Sequence, residues 1–263
     1  MSTRWIILVV VALALIGGAV AWYLGAGSQG SDEKPVVTAQ FVDLSHVDAI
    51  SRFRSCQGHL VVPQDGSEPP SNMKHYFRLT REASAAPSVV PLYAPFAGYV
   101  VGVRRFHGPE YAAGSSEISI AAQRGSILGS RDWQFTFLHI VPAPGIKKGT
   151  AVTAGQLVGH AALDYQTPHS FDVAYSKSAL LPKKIDGWMS PYRALESVFA
   201  HMDPMVLAAY QPLGVTTEAD AIISREARTA TPCQYQGDGP QFAPPRGEAN
   251  QLNDWLGTPE IGG

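Results

Sequence analysis

Between residues 74 and 176 the chain is cut into short β-patterned runs, each closed by a turn former. "KHYFRLT" alternates apolar and polar residues. "VVPLYAPFAGYVVGVRRF" is two β-rich runs broken at "APFAG". "SSEISIAAQ" alternates again, "RDWQFTFLHIV" is rich in aromatic residues, "TAVTAGQLVGHAA" repeats small and branched residues around glycines, and "SFDVAYS" ends the series. Strands at this spacing close into an all-β sandwich or barrel. Composition agrees: charged residues make up 16% of the chain, with 25 Gly and 20 Pro, a balance suited to short strands and many turns rather than long solvated helices.

The net charge of -2 carries no excess to draw the chain to nucleic acid, and no basic stripe with interleaved aromatics occurs. Neither a Gly-x-Ser-x-Gly nucleophile elbow nor a phosphate-binding Gly loop is present.

Residues 5–27, "WIILVVVALALIGGAVAWYLGAG", contain no charged side chain. About 20 apolar residues cross a bilayer as a helix. Arg4 precedes the run, and Asp32 and Glu33 follow it. The positive-inside rule then puts the N-terminus in the cytoplasm and the bulk of the chain outside, with an inner or plasma membrane as the default carrier. The competing reading is a cleaved signal peptide, for which Ala19 to Ala21 offers a small-x-small site. The apolar run continues past that site, which favours an uncleaved anchor.

The chain has two cysteines, Cys56 and Cys233, both beyond the apolar run. In an oxidising compartment the simplest reading is a disulfide; two buried free thiols is the alternative. The expected organisation is an anchor at residues 1–27, a linker and lead-in at 28–60 with a short helix near "SHVDAISRF", a β domain at 61–176, and a small helical or irregular C-terminal extension at 177–263. Within that extension, Ser190 and Pro191 read as the N-cap and first residue of a helix that places Leu195, Val198, Phe199 and Met202 on one face.

Three segments in order resemble one family. "LYAPFAGYVVGV" resembles its Tyr-Ala-Pro strand pair. "FTFLHIVPAPGIKKGTAVTAGQLVGHAA" resembles its aromatic-x-His-Leu strand and the glycine-spaced run that follows. "TPHSFDVAY" resembles its Gly-Pro-His-x-His-Phe-Glu ending. The family is the lysostaphin/LytM-type zinc endopeptidases of bacterial cell walls, whose all-β core is the duplicated hybrid motif. The resemblance implies zinc held by a His and an Asp of H-x-x-x-D and by the second His of H-x-H. Two further His residues would assist the water and the transition state.

Position by position, His139 matches the strand His and His169 the first His of H-x-H, so these two are the candidate catalytic residues, active or vestigial. His75 matches the first metal ligand, but Leu79 stands at its partner position and Phe171 at the second His of H-x-H. A zinc site needs at least three protein ligands. In an extended strand His75, Phe77 and Leu79 share one face, and Asp172, the substitute ligand at hand, points away from Phe171. His59, His107 and Asp164 are further substitutes; His107, His160 and His201 read more simply as structural.

The glycine-spaced run also occurs in lipoyl and biotinyl carriers, but Lys147-Lys148 lacks the flanks of a modified lysine. Two function classes follow. The first is an anchored, non-catalytic LytM-like module that binds peptidoglycan or an envelope protein and needs no cofactor. The second is a zinc endopeptidase with rearranged ligands that cleaves peptidoglycan cross-links. A structural subunit of an envelope assembly is a third.

Overall fold

The computed structural model describes residues 32–85, 90–125, 130–162, 170–243 and 252–257. Within them lie the strands β1 (Val47–Ser51), β2 (His75–Leu79), β3 (Pro91–Tyr93), β4 (Gly98–Arg105), β5 (Ser116–Ala121), β6 (Gln134–Pro142), β7 (Ala151–Val152), β8 (Leu157–Ala161), β9 (Ser170–Ile185), β10 (Trp188–Glu196) and β11 (Trp255–Gly257). The main path of the sheet runs β11-β1-β2-β9-β6-β5-β4-β7; β10 pairs with β9, and β8 joins β3 to β6. Every strand pairing is antiparallel. The mainly β expectation holds. Among the described residues no helix is long and apolar enough to cross a membrane, and residues 5–27 lie outside them.

Alternation decides which way each strand faces. On β2 and β9, Phe77 pairs with Phe171 and His75 with Val173. Phe77, Leu79, Phe171 and Val173 are all buried in the main core with Phe41, Phe135 and Phe137. The Phe77 and Phe171 rings stack at 5.2 Å and 14°. Burial of this kind contributes about 2 kcal/mol per large side chain.

Two helical expectations give way to strands. "SHVDAISRF" forms a single 3-10 turn, Leu44–His46, and then β1, because residues 47–51 complete the edge pairing with β2. The helix expected from Ser190 is instead β10. Asp186 and Gly187 both have positive φ, 42° and 85°, and make a two-residue turn that pairs Trp188 with Ile185. An Asp-Gly turn of this hand matches the twist of the strands it joins. The Ser190 hydroxyl accepts from the Tyr192 N–H at 3.3 Å, as a cap would, but no helix follows, and it donates to the Val62 carbonyl at 2.6 Å. Past β10, helical turns begin at Val198–His201 and Pro204–Ala208. β9 therefore runs on past Ser176 to Ile185.

Cys56 and Cys233 are disulfide-bonded, with Cα atoms 5.3 Å apart across a separation of 177 residues. Arg228, fully buried beside them, bonds Asp254 and lies 2.7 Å from the Cys56 sulfur.

Candidate functional site

On the face opposite the Phe77–Phe171 stack, a groove of about 920 Å³ opens between β2, β6 and the β9–β10 hairpin. Its floor comes from the alternate residues of the same strands. Tyr76 pairs with Asp172, and Leu138 pairs with Asp172 from the other side. Thr136, Gln134 and Ser178 continue the floor. Phe106, Tyr111, Trp188 and Tyr192 supply aromatic walls, and the Arg104–Glu117 pair sits on one rim.

Lys74, one residue before β2, and Asp172 are 3% and 0% exposed and form a salt bridge beneath this groove. Lys74 also lies 5.1 Å from the Tyr76 ring centroid, and its backbone N–H donates to Asn72 Oδ1 at 2.9 Å. Burial alone would strip charge from both groups. The attraction between them overrides it: the Lys74 ammonium is held above its ordinary range and the Asp172 carboxyl below.

His139 reaches the same floor through a backbone irregularity. Between Ile118↔Phe137 and Ser116↔Ile140 the β5–β6 pairing gains one residue on the β6 side. His139 takes φ 60° there. A bulge of this sort re-aims a side chain that strict alternation would turn away. The ring stacks on Phe106 at 5.2 Å, and Nε2 lies 3.5 Å from Asp172 Oδ1. That oxygen accepts no hydrogen bond among the described residues.

His75 is elsewhere. Its Nδ1 lies 2.8 Å from the Ser51 carbonyl and its Nε2 2.9 Å from Ser197 Oγ. The rings of Phe53 and Phe199 flank it. Burial pushes its ring down to about 4, so it is a neutral, fully bonded core side chain. Leu79 and Phe171 are core residues on that same side.

The structure therefore brings together His139 and Asp172 and separates them from His75, Leu79 and Phe171. His59 lines the groove, with Nδ1 2.9 Å from the Leu60 carbonyl; burial, with Lys74 adding to it, pushes its ring down to about 4. His107 is exposed, and His201 bonds Glu196 at 2.6 Å and stacks on Tyr175 at 4.6 Å. His169 and Asp164 lie outside the described residues.

The described residues of this groove do not by themselves make up a zinc site. No group of three His, Cys, Asp or Glu side chains among the described residues converges to hold a metal. One Asp172 oxygen is engaged by an ammonium, so a cation of the protein's own already sits against the carboxylate a metal would need. Sequence reasoning missed Lys74. The signal was there: a lysine in the apolar "NMKHYF" run and an aspartate in "SFDVAY", on the shared face of adjacent strands.

No protein-family model matches the sequence, and no curated protein does. Solved structures do match it. Csd3 of Helicobacter pylori is 15% identical with a TM-score of 0.33, over 54% of this chain and 30% of that one. A zinc containing peptidase from Vibrio cholerae is 17% identical with a TM-score of 0.35, over 54% and 36%. Lysostaphin is 16% identical with a TM-score of 0.30, over 49% of each chain. The matched structures thus include members of the family that the three sequence segments resemble. This chain spans from about a third to a half of their length.

Proposed function

We propose that this chain is a membrane-anchored, extracytoplasmic LytM-like module with a duplicated-hybrid-motif core, which binds the cell wall without cutting it. The observation that carries the reading is the Lys74–Asp172 pair. An internal ammonium neutralises the buried Asp172 carboxylate beneath the groove, as a metal would, but it offers no vacant orbital to polarise a carbonyl or acidify a water. What remains suits recognition: aromatic walls for apolar or sugar faces, and hydroxyl and amide groups on Thr136, Gln134 and Ser178 for polar ones. Peptidoglycan, with alternating sugar and peptide chemistry, is the ligand class that this mixture suits best.

The test is co-sedimentation of the full, detergent-solubilised chain with purified peptidoglycan sacculi, alongside analysis of released fragments. Saturable binding that weakens several-fold in Trp188→Ala, with no soluble fragments released, is expected. Fragment release that stops on adding a chelator would overturn the reading in favour of a zinc endopeptidase. Failure to bind sacculi, with retention of an envelope protein instead, would move the ligand class from wall to protein.

A further inference from the structure

Three of the large apolar side chains left exposed among the described residues lie on the outer part of the β9–β10 hairpin: Leu180 at 65% and Leu181 at 74% on β9, and Met189 at 54% on β10, paired with Lys184. Exposed Lys183 and Lys184 adjoin them. An apolar tip flanked by ammonium groups is unusual on a surface meant to face water alone. It matches the chemistry of an anionic bilayer surface, where apolar groups enter the headgroup boundary and lysines meet phosphates.

The position of the chain's lead-in says which surface is near. Asp32, the first described residue, bonds Lys177 of β9 at 2.6 Å and lies 3.9 Å from Arg193 of β10. Two residues on, Lys34 bonds Glu196 of β10 at 2.7 Å. The lead-in is thus fastened to both strands of the hairpin. The apolar run of residues 5–27 ends five residues before Asp32, a span of at most about 17 Å when extended. Leu181 lies four residues along β9 from Lys177, about 13 Å at strand rise. The exit point of a span and Leu181 are therefore both tethered within a short reach of Lys177, with Met189 and Lys184 about 10 Å further along the hairpin.

We propose that the outer part of the β9–β10 hairpin docks on the outer surface of the membrane that carries the anchor, with Leu180 and Leu181 in the headgroup boundary, Lys183 and Lys184 on anionic phosphates, and Met189 between that contact and the groove it also lines. This rests on residues 5–27 remaining as a span. With the domain held at two points, the groove walled by Trp188 and Tyr192 of the same hairpin takes a fixed height and orientation above the bilayer.

The experiment uses the full chain reconstituted into phosphatidylcholine–phosphatidylglycerol vesicles. An environment-sensitive fluorophore is attached through Leu181→Cys, with Lys147→Cys, an exposed turn residue, as reference. Both native cysteines are consumed in the disulfide. Expected are co-flotation with vesicles and strong quenching at 181 by a shallow lipid nitroxide but not by iodide, with the reverse at 147. Adding Lys183→Glu and Lys184→Glu, or replacing phosphatidylglycerol by neutral lipid, reduces the lipid quenching at 181 several-fold.

Co-flotation with iodide quenching at 181 equal to that at 147 overturns the docking and leaves the anchor standing. Shielding from both quenchers also overturns it, and assigns the tip to a protein contact. Loss of co-flotation under carbonate wash overturns the anchor and the docking together.

Discussion

Lys74, just ahead of β2, and Asp172 of β9 lie 98 residues apart in sequence and meet beneath the groove, almost wholly shielded from water. Such a pair stabilises little relative to well-packed apolar groups, yet breaking it strands a charge.

Lys74→Met should therefore cost about 3–5 kcal/mol, the penalty of an uncompensated buried carboxylate. For a domain of this size that is a fall of about 2–4 °C in Tm per kcal/mol. The double variant Lys74→Met, Asp172→Leu should recover most of it. Denaturant titration of the two variants and the parent decides the matter; a double variant as unstable as the single one would show that the pair is more than a matched couple of charges.

Restoring the family's motif at Leu79 and Phe171 should not restore a metal site. Leu79→Asp and Phe171→His would aim polar groups into the Phe77–Phe41 core, away from His139. A loss of about 3–5 kcal/mol is expected from the Phe171 change alone, with no gain in zinc affinity. Calorimetric zinc titration beside a thermal melt reads both outcomes; tight binding by the double variant would mean that the two faces had been assigned wrongly.

Stability should fall as the pH drops from about 6.5 to 4. The His75 ring is held down to about 4 by burial, so across that window the unfolded chain takes up a proton that the folded one refuses. The slope approaches 1.4 kcal/mol per pH unit for this residue, up to about 3 kcal/mol over the window, and none of it is lost above pH 6.5. Asp172 acts lower down: its folded carboxyl lies below the ordinary range, so its contribution is present above about pH 4 and disappears as the pH falls through the folded value. Urea titrations at pH 7.5, 6, 5 and 4.5 measure the slope, and His75→Gln should remove about half of it, the rest coming from the similarly lowered His59.

His139→Gly should separate stability from recognition. Glycine accepts φ 60° freely, so the backbone gains about 1 kcal/mol where histidine is strained, against the lost stack on Phe106. Folding stability should change little while sacculus binding weakens; binding unchanged from the parent would remove His139 from the groove's working surface.

Opening the Cys56–Cys233 link by Cys56→Ser, Cys233→Ser should cost about 3–5 kcal/mol, given the length of chain it closes. Melts with and without reductant give the same comparison without mutation.

Much of the fold was legible because alternation is a local signal. "HYFRL", "SEISIA" and "QFTFLHIVP" are strands where the pattern placed them, and the shared face of His75, Phe77 and Leu79 follows from pleat alone. What the pattern could not say is which face is core. The motif spacing pointed to the His75 side; packing against Phe41 and Phe199 made that side the interior and gave the groove to Tyr76, Asp172 and a bulged His139. The helix read from Ser190-Pro191 failed for a related reason. A good local cap was overridden by pairing with β9, which the Asp-Gly turn at 186–187 sets up three residues earlier.

The sheet's outer edge is finished by the last described residues of the chain. β1 gives one side to β2, and Ser51, Ile50 and Ala49 offer the other to Trp255, Leu256 and Gly257. A chain made from its N-terminus delivers β1 long before its edge partner. Until then β1 is an open border, able to zip onto a neighbouring chain. The fold is thus a purse whose drawstring lies far along the chain from the cloth it gathers, and the border closes only once Trp255–Gly257 have joined β1.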